Sequence, residues 1–465
     1  MKSYVIVGLG GRSTMFVDAL CNRYRQIAEL VAICDSNYGR LQLAAEKIRK
    51  YWPNVATYIS SDFDKMISEY KPDSVIVCTR DKEHSDYICR SLDFGCDVIT
   101  EKPMTIDHKK CQQIVDTVKR TGKSVRVTFN YRYSPPRTQM KQLLMSGIIG
   151  DVLSINFQWN LDTNHGADYF RRWHRFKENS GGLMVHKATH HFDLMNWWLG
   201  SAPETVFARG GRLFYNEKQA AKYGLAEHGT RCLNCPVASK CNFYLDMNAF
   251  DAIKSLYLDN ENYDQYHRDR CVFGNDITIE DNMNVLVNYR SGAIMNYSLN
   301  AFLPWEGYRV ELNGTKGRLE HWCRESSYIN GDGTVQGGLD TNNLGIMIYP
   351  HFKTPYAIKV EEGEGAHGGG DDVMLEDIFG VSVPDPYKRC ADYVQGAYSI
   401  LVGIAANISM VESKLIRIAD IVTGLSNPGY AQNYPDDKHI PFTPAAKCIA
   451  RDGQQINANV PLTLK

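Results

Sequence analysis

Over the first 130 residues, short apolar runs alternate with longer stretches of helical period. "SYVIV" (3–7), "ELVAICDS" (29–36), "ATYI" (56–59), "DSVIVC" (73–78), "DVIT" (97–100) and "SVRVTF" (124–129) are the apolar runs. Between them stand amphipathic stretches such as "DHKKCQQIVDTVKRTG" (107–122). This alternation predicts βαβ units and a parallel sheet covered on both faces, an α/β, doubly wound nucleotide-binding domain over 1–130. After residue 131 the period changes. "DVLSINFQWN" (151–160) and the runs at 283–300 and 308–320 alternate apolar with polar residues, as half-buried antiparallel strands do. "GTKG" (314–317) reads as a hairpin turn, and "QGAYSILVGIAANISMVESK" (395–414) as a late helix returning towards the first domain. Residues 131–465 are therefore expected to form a second, α+β domain with a cysteine-bearing insert at about 228–275. The glycine-rich run "EEGEGAHGGGDD" (361–372) is expected to be a mobile loop.

Charge is balanced, with 52 basic against 53 acidic side chains, so neither nucleic acid nor a membrane surface is an expected partner. No apolar run is expected to approach the length a bilayer span needs. The opening "MKSYVIVGLGG" enters a strand at once, and a cytoplasmic protein is expected. Thirteen cysteines, several inside apolar runs (Cys34, Cys78), fit reduced core thiols better than a disulfide framework.

The turn after the first strand carries Gly8 and Gly10 of a G-x-G-x-x-G motif, with Ser13 in the third glycine's place and Gly11 as a further small residue. Gly8 permits a tight turn, and Gly10 lets the backbone approach a pyrophosphate at a helix N-terminus. Arg12 either lies over that pyrophosphate or is a solvated charge. Asp35 ends the second strand, where an acid accepts hydrogen bonds from ribose hydroxyls and repels a 2′-phosphate. NAD is therefore expected in preference to NADP.

"VITEKPMTID" (98–107) ends an apolar strand with Glu101, Lys102 and Pro103. Proline cannot donate to a sheet ladder and marks the strand's end. Lys102 thus stands at the carboxyl edge where such sheets hold ligands, with Thr79, Arg80 and His84 of "VCTRDKEH" offered to the same crevice. A desolvated lysine beside a cationic nicotinamide has a lowered pKa and can take a proton from a substrate hydroxyl. Glu101 could orient it. The alternative is a lysine that reaches from the strand end to solvent.

"GLGGRS", Asp35, "EKP" and "FNYRYSP" together resemble the glucose–fructose oxidoreductase/inositol dehydrogenase (Gfo/Idh/MocA) family, and "GGLMVHKATHHFDLMNWWLG", "VELNGTKGRLE" and "QGAYSILVGIAANIS" extend the likeness through most of the chain. The resemblance implies a Rossmann domain followed by a large, mostly antiparallel open sheet that commonly makes homo-oligomer contacts, as a dimer or tetramer. It also implies tightly bound NAD(P), a sugar or cyclitol substrate, a catalytic role for Lys102 and a cis Lys102–Pro103 bond. Aligned on Asp193, the family's catalytic histidine falls on His190, its aspartate on His186 and its glycine on Ala188. His186 and His190, four apart, share a helical face, either as a proton relay or as a metal pair. A small rotation of that helix would aim Lys187 inward instead.

The preceding stretch "NHGADYFRRWHRF" (164–176) offers Tyr169, Arg172 and Trp173 for sugar stacking and hydroxyl recognition, and Tyr131 and Arg132 lie where the chain crosses between domains. In the insert, Cys232, Cys235, Cys241 and Cys271 form a C-x2-C-x5-C pattern plus one, a candidate structural zinc site, with an iron–sulfur cluster or free thiols as alternatives. Three functions follow: an NAD-dependent dehydrogenase of a secondary sugar or glycoside hydroxyl (carbon 3 among the candidates), a redox-neutral NAD-dependent glycosidase, or a non-catalytic NAD sensor. Intact Lys102 and His190 argue against the sensor.

Overall fold

A computed structural model describes residues 1–327, 343–363, 368–433, 448–449 and 455–456. The six apolar runs form parallel strands β1 (Lys2–Val7), β2 (Ala28–Asp35), β3 (Ala56–Ile59), β4 (Ser74–Val77), β5 (Asp97–Thr100) and β6 (Val125–Val127). Their order is β3-β2-β1-β4-β5-β6, so the direction of winding reverses between β1 and β4. At such a switch point a crevice opens beyond the carboxyl ends of the strands. Val5, Ile6, Val75 and Ile76 are completely buried, which is why these strands read as continuous apolar runs. Side-chain caps start the covering helices: Asn37 accepts the Arg40 N–H ahead of Tyr38–Arg49, and Asp107 that of Lys110 ahead of His108–Thr121.

The second sheet contains β7 (Val152–Asp162), β8 (Pro203–Gly211), β9 (Asn282–Tyr289), β10 (Ile294–Leu303), β11 (Trp305–Gly314), β12 (Gly317–Ser327), β13 (Leu344–Pro350) and β14 (Tyr356–Ile358). β15 (Ala391–Asp392) instead pairs with β6 at the edge of the first sheet, and β16 (Ile416–Arg417) closes the second beside β8. All neighbours in the second sheet are antiparallel except β7 and β10. Burial alternates along β9 and β10, as their sequences predict. The expected hairpin joins β11 to β12, with Gly314 opposite Gly317.

One face of the second sheet packs on the helix Ala188–Leu199. His191 stacks on Trp159 of β7 (3.8 Å between ring centres) and its Nδ1 lies 2.6 Å from the Tyr297 hydroxyl of β10, so it is a core residue. The late helix, Tyr393–Glu412, crosses β8 and Ala188–Leu199 and reaches His108–Thr121 under the first sheet. By length and composition it could cross a bilayer, contrary to the sequence expectation. Its residues are mostly buried between the two sheets, where an all-round apolar helix is stable as a core element. Gly403 makes this contact close: a Cβ there would lie 2.1 Å from the Met184 carbonyl oxygen. Within 361–372, residues 364–367 lie outside the described residues. The end of that run is helical, since Gly370–Phe379 is a helix and its Asp371 is buried.

Candidate active site

A cleft of about 470 Å³ runs from the glycine turn along the carboxyl edge of the first sheet to the start of the second. Gly8, Gly10, Gly11, Arg12 and Asp35 line one end. Gly8 has φ +87°, and a Cβ there would fall 2.6 Å from the backbone of Cys78 and Thr79, so only glycine lets the turn lie against the end of β4. Asp35 accepts the N–H groups of Leu9 and Asn37, each at 2.6 Å, which ties the end of β2 to the turn. Burial raises its pKa, and Arg40, 3.6 Å away, opposes that. A backbone cradle without side chains, followed by a helical turn and an acid at the end of β2, fits a dinucleotide. Ser13 does not face it. Its buried hydroxyl bonds the Gly10 carbonyl and locks the turn.

Thr79, Arg80 and His84 also line the cleft. The His84 ring spans the carbonyls of Thr79 (3.1 Å) and Pro103 (2.8 Å), so it braces the loops after β4 and β5. Burial holds its pKa below the usual histidine value. Lys102 follows β5 and precedes a cis bond to Pro103. Its Nζ donates to the His186 main-chain carbonyl at 3.2 Å. Burial lowers the lysine to about 8, while Asp81 and Glu101 oppose the shift and Lys187 and Arg12 add to it. Burial likewise raises Asp81, opposed chiefly by Lys102. Asp81 Oδ2 lies 2.5 Å from His186 Nδ1, and burial next to Lys102 and Arg172 keeps that imidazole neutral. Glu101 does not orient Lys102 as expected. Its carboxylate is taken by Arg12 (2.9 Å), which also meets Asp371, and Asp371 in turn accepts from Asn130. Arg12 is thus a tethered cation.

At the other end, Tyr131, Tyr169, Arg172, Trp173, His186, Lys187 and His190 share the cleft. His190 stacks on Tyr131, 4.2 Å between ring centres, and Trp173 stacks on His174 at 3.6 Å. Lys187 is aimed inward, its Nζ 3.7 Å from Glu306 and 3.5 Å from the Tyr131 hydroxyl. Burial would lower its pKa, but Tyr169 and Glu306 raise it above the usual lysine value. A chain of contacts joins the Tyr169 hydroxyl to His165 Nε2 (3.0 Å) and His165 Nδ1 to Glu306 (2.8 Å). Arg172 is held by Asp168 at 3.1 Å. Arg132 is the exception among the expected substrate contacts. It is completely buried, doubly bonded to Asp193 (2.6 and 2.7 Å) and bonded to Gln395 (2.6 Å), so it ties the crossing segment to two core helices.

Sequence comparison places this geometry. The profile of the oxidoreductase family's NAD-binding Rossmann fold matches residues 2–129, and that of its C-terminal alpha/beta domain matches residues 141–418. The chain belongs to the Gfo/Idh/MocA oxidoreductase family. YteT of Bacillus subtilis (strain 168), which carries an oxidoreductase name, is 37% identical over 90% of this chain and 99% of its own. D-glucoside 3-dehydrogenase of Escherichia coli (strain K12) is 26% identical over 43% of this chain and 55% of its own. Among solved structures, the WlbA dehydrogenase from Bordetella pertussis in complex with NADH and UDP-GlcNAcA shares the fold, with a TM-score of 0.58 at 17% identity over 90% of this chain and 99% of that one.

Two metal expectations are not supported. Among the described residues, no group of three or more His, Cys, Asp or Glu side chains is placed to hold a metal ion. His186 and His190 do not present one helical face, because the helices Leu183–His186 and Ala188–Leu199 break at Lys187. His186 turns to Asp81 while His190 turns to Tyr131. Cys232, Cys235, Cys241 and Cys271 line one small cavity of about 20 Å³ without converging on a point. Cys271 contacts His228 Nδ1 (3.3 Å), and the Leu245 N–H reaches Cys232 (3.4 Å). Burial pushes the Cys271 thiol up to about 11.

Asp81, His165, Glu306, Asp371 and Tyr257 were not singled out from sequence. Asp81 and His165 carried a usable signal, since Asp81 directly follows Thr79 and Arg80 at a strand end already assigned to the crevice and His165 lies in the stretch 164–176 assigned to the substrate. Asp81 returns a carboxylate to a site whose family aspartate position holds His186. Asp371 lies in the glycine-rich run 361–372, which offered no chemical motif, and Glu306 and Tyr257 are distant in sequence from the residues singled out.

Proposed function

We propose that this family member moves a hydride between NAD and a secondary hydroxyl of a sugar or glycoside, with Lys102 as acid–base. The observation that carries this reading is Lys102 itself: a half-buried amine with a pKa near 8, in the same cleft as the glycine turn and a wall of aromatic and hydroxyl-binding side chains. Bound NAD supplies the hydride acceptor. Lys102 Nζ takes the hydroxyl proton as the carbon–hydrogen bond breaks, leaving a ketone and an ammonium. The His186 carbonyl aims the amine, Asp81 offsets the ammonium charge, and His190, stacked on Tyr131, shares the hydroxyl. Trp173 and Tyr169 offer flat faces to sugar C–H surfaces, and Arg172 offers donors to hydroxyls. A panel of sugars and glycosides, assayed for NADH formation with wild type and Lys102→Ala, tests the reading. A substrate turned over equally by both would refute it.

A second reading is favoured by the Tyr169–His165–Glu306 chain, which provides acid–base groups in the same cleft apart from Lys102. A ketone at carbon 3 acidifies the C2–H. Base removal of that proton with loss of the protonated aglycone from C1, water addition to the resulting enone and return of the hydride would hydrolyse a glycoside with no net NADH. Glycoside cleavage with solvent deuterium appearing at C2 distinguishes this course from simple dehydrogenation.

A further inference from the structure

The insert at about 228–275 does more than decorate the second domain. Tyr257 reaches the glycine turn, where its hydroxyl accepts the Gly11 N–H at 3.1 Å and lies within 4 Å of where a Cβ on Gly10 or Gly11 would stand. That amide belongs to the turn that faces a pyrophosphate in this fold. The hydroxyl keeps its own proton to donate to an anion. Three residues on, the Asn260 carbonyl accepts from Asn37 (2.9 Å), next to Asp35. The packing there is close enough that a Cβ on Gly39 would fall 1.7 Å from Asn260 Oδ1. Asp264 then pairs with Arg40, the cation beside Asp35 at the adenosine end of the cleft. Arg268 closes the segment on Asp168 (2.6 Å), the residue that holds Arg172. Tyr257, Asp264 and Tyr266 line the cleft itself.

We propose that segment 257–268 is part of the dinucleotide site, with Tyr257 a ligand of the pyrophosphate and Asp264 the group that keeps Arg40 from a 2′-phosphate. The insert thereby sets both how long NAD stays and why NAD is chosen over NADP. The inference rests on the NAD-dependent reading above, and its readouts are binding rather than turnover. A hydrogen bond to a charged group is among the stronger kind. Tyr257→Phe keeps the ring and should therefore release NAD at least about tenfold faster, measured by displacement in stopped flow. Asp264→Asn should free Arg40 and move the NAD-to-NADP affinity ratio at least about tenfold towards NADP, measured by titration calorimetry. The Arg40→Ala/Asp264→Asn double variant should lose that gain, which separates an effect through Arg40 from general loosening of the insert. Unchanged or slower release in Tyr257→Phe would show that the hydroxyl only occupies the Gly11 amide, and an unmoved ratio in Asp264→Asn would reduce that residue to a strut. Either result overturns the inference while leaving the oxidoreductase reading intact. Wild type that binds no NAD would overturn both.

Discussion

The two ends of the cleft are built differently. At the cofactor end, the backbone cradle comes from one strand and the turn after it, Gly8 through Arg12, joined to Asp35 at the next strand's end, and the distant Tyr257 is added to it by packing. What matters there is backbone shape, and backbone shape is written in nearby residues. The substrate end gathers Tyr131, His165, His186, Lys187 and Glu306 from four distant segments. What matters there is which side chains become desolvated together. Lys102, at the carboxyl end of β5, belongs to both ends: its place comes from a strand end and its acidity chiefly from burial in the packed cleft.

The comparison breaks most directly at Lys102. Lys102→Ala should lower single-turnover hydride transfer by about 10²–10⁴ while NAD affinity in calorimetry stays within about twofold. Loss of affinity in proportion would place the lysine at the cofactor end alone. Arg132→Ala should act on stability: removing one partner of a buried ion pair costs about 3–5 kcal/mol, read from denaturant unfolding. A raised KM with unchanged unfolding would return Arg132 to the substrate. Gly8→Ala forces a side chain into a left-handed backbone against Thr79, a strain of about 1–3 kcal/mol, and should weaken NAD binding as well as folding. Normal NAD binding in that variant would mean the turn does not face the cofactor.

The smallest effect concerns pH. Oxidation needs the neutral amine, so its rate should climb about tenfold per pH unit below about 8 and level off above it, while reduction, which needs the ammonium, should be level below about 8 and fall about tenfold per unit above it. Asp81 and Glu101 favour the ammonium, and Lys187 and Arg12 oppose it. Asp81→Asn should therefore move the midpoint down by about one pH unit. A midpoint that stays put would show that Asp81 carries no charge at this site.

Much of the architecture was legible. Continuous apolar runs gave away the doubly covered sheet, alternating runs the half-buried one, and "EKP" the strand end that presents Lys102. Arg132 misled because a charged residue at a domain crossing looks solvent-facing until Asp193 and Gln395 close around it. The helix Tyr393–Glu412 was read as returning to the first domain and does so, although its hydropathy by itself does not distinguish lipid from core. The cysteine spacing resembled a zinc framework, but convergence of sulfur atoms depends on how the insert folds.

By itself, the sequence determined the order of strands and helices, the glycine turn, the acid at the end of β2 and the lysine at the end of β5. These depend on periodicity and on local backbone sterics, which act over a few residues. Only the tertiary structure decided that Asp81 faces His186, that Glu101 serves Arg12, that His165 and Glu306 meet, and that Tyr257 lies on the glycine turn 246 residues away. Such pairings depend on burial, because desolvation makes each charged or polar group find a partner wherever the packed chain brings one within reach.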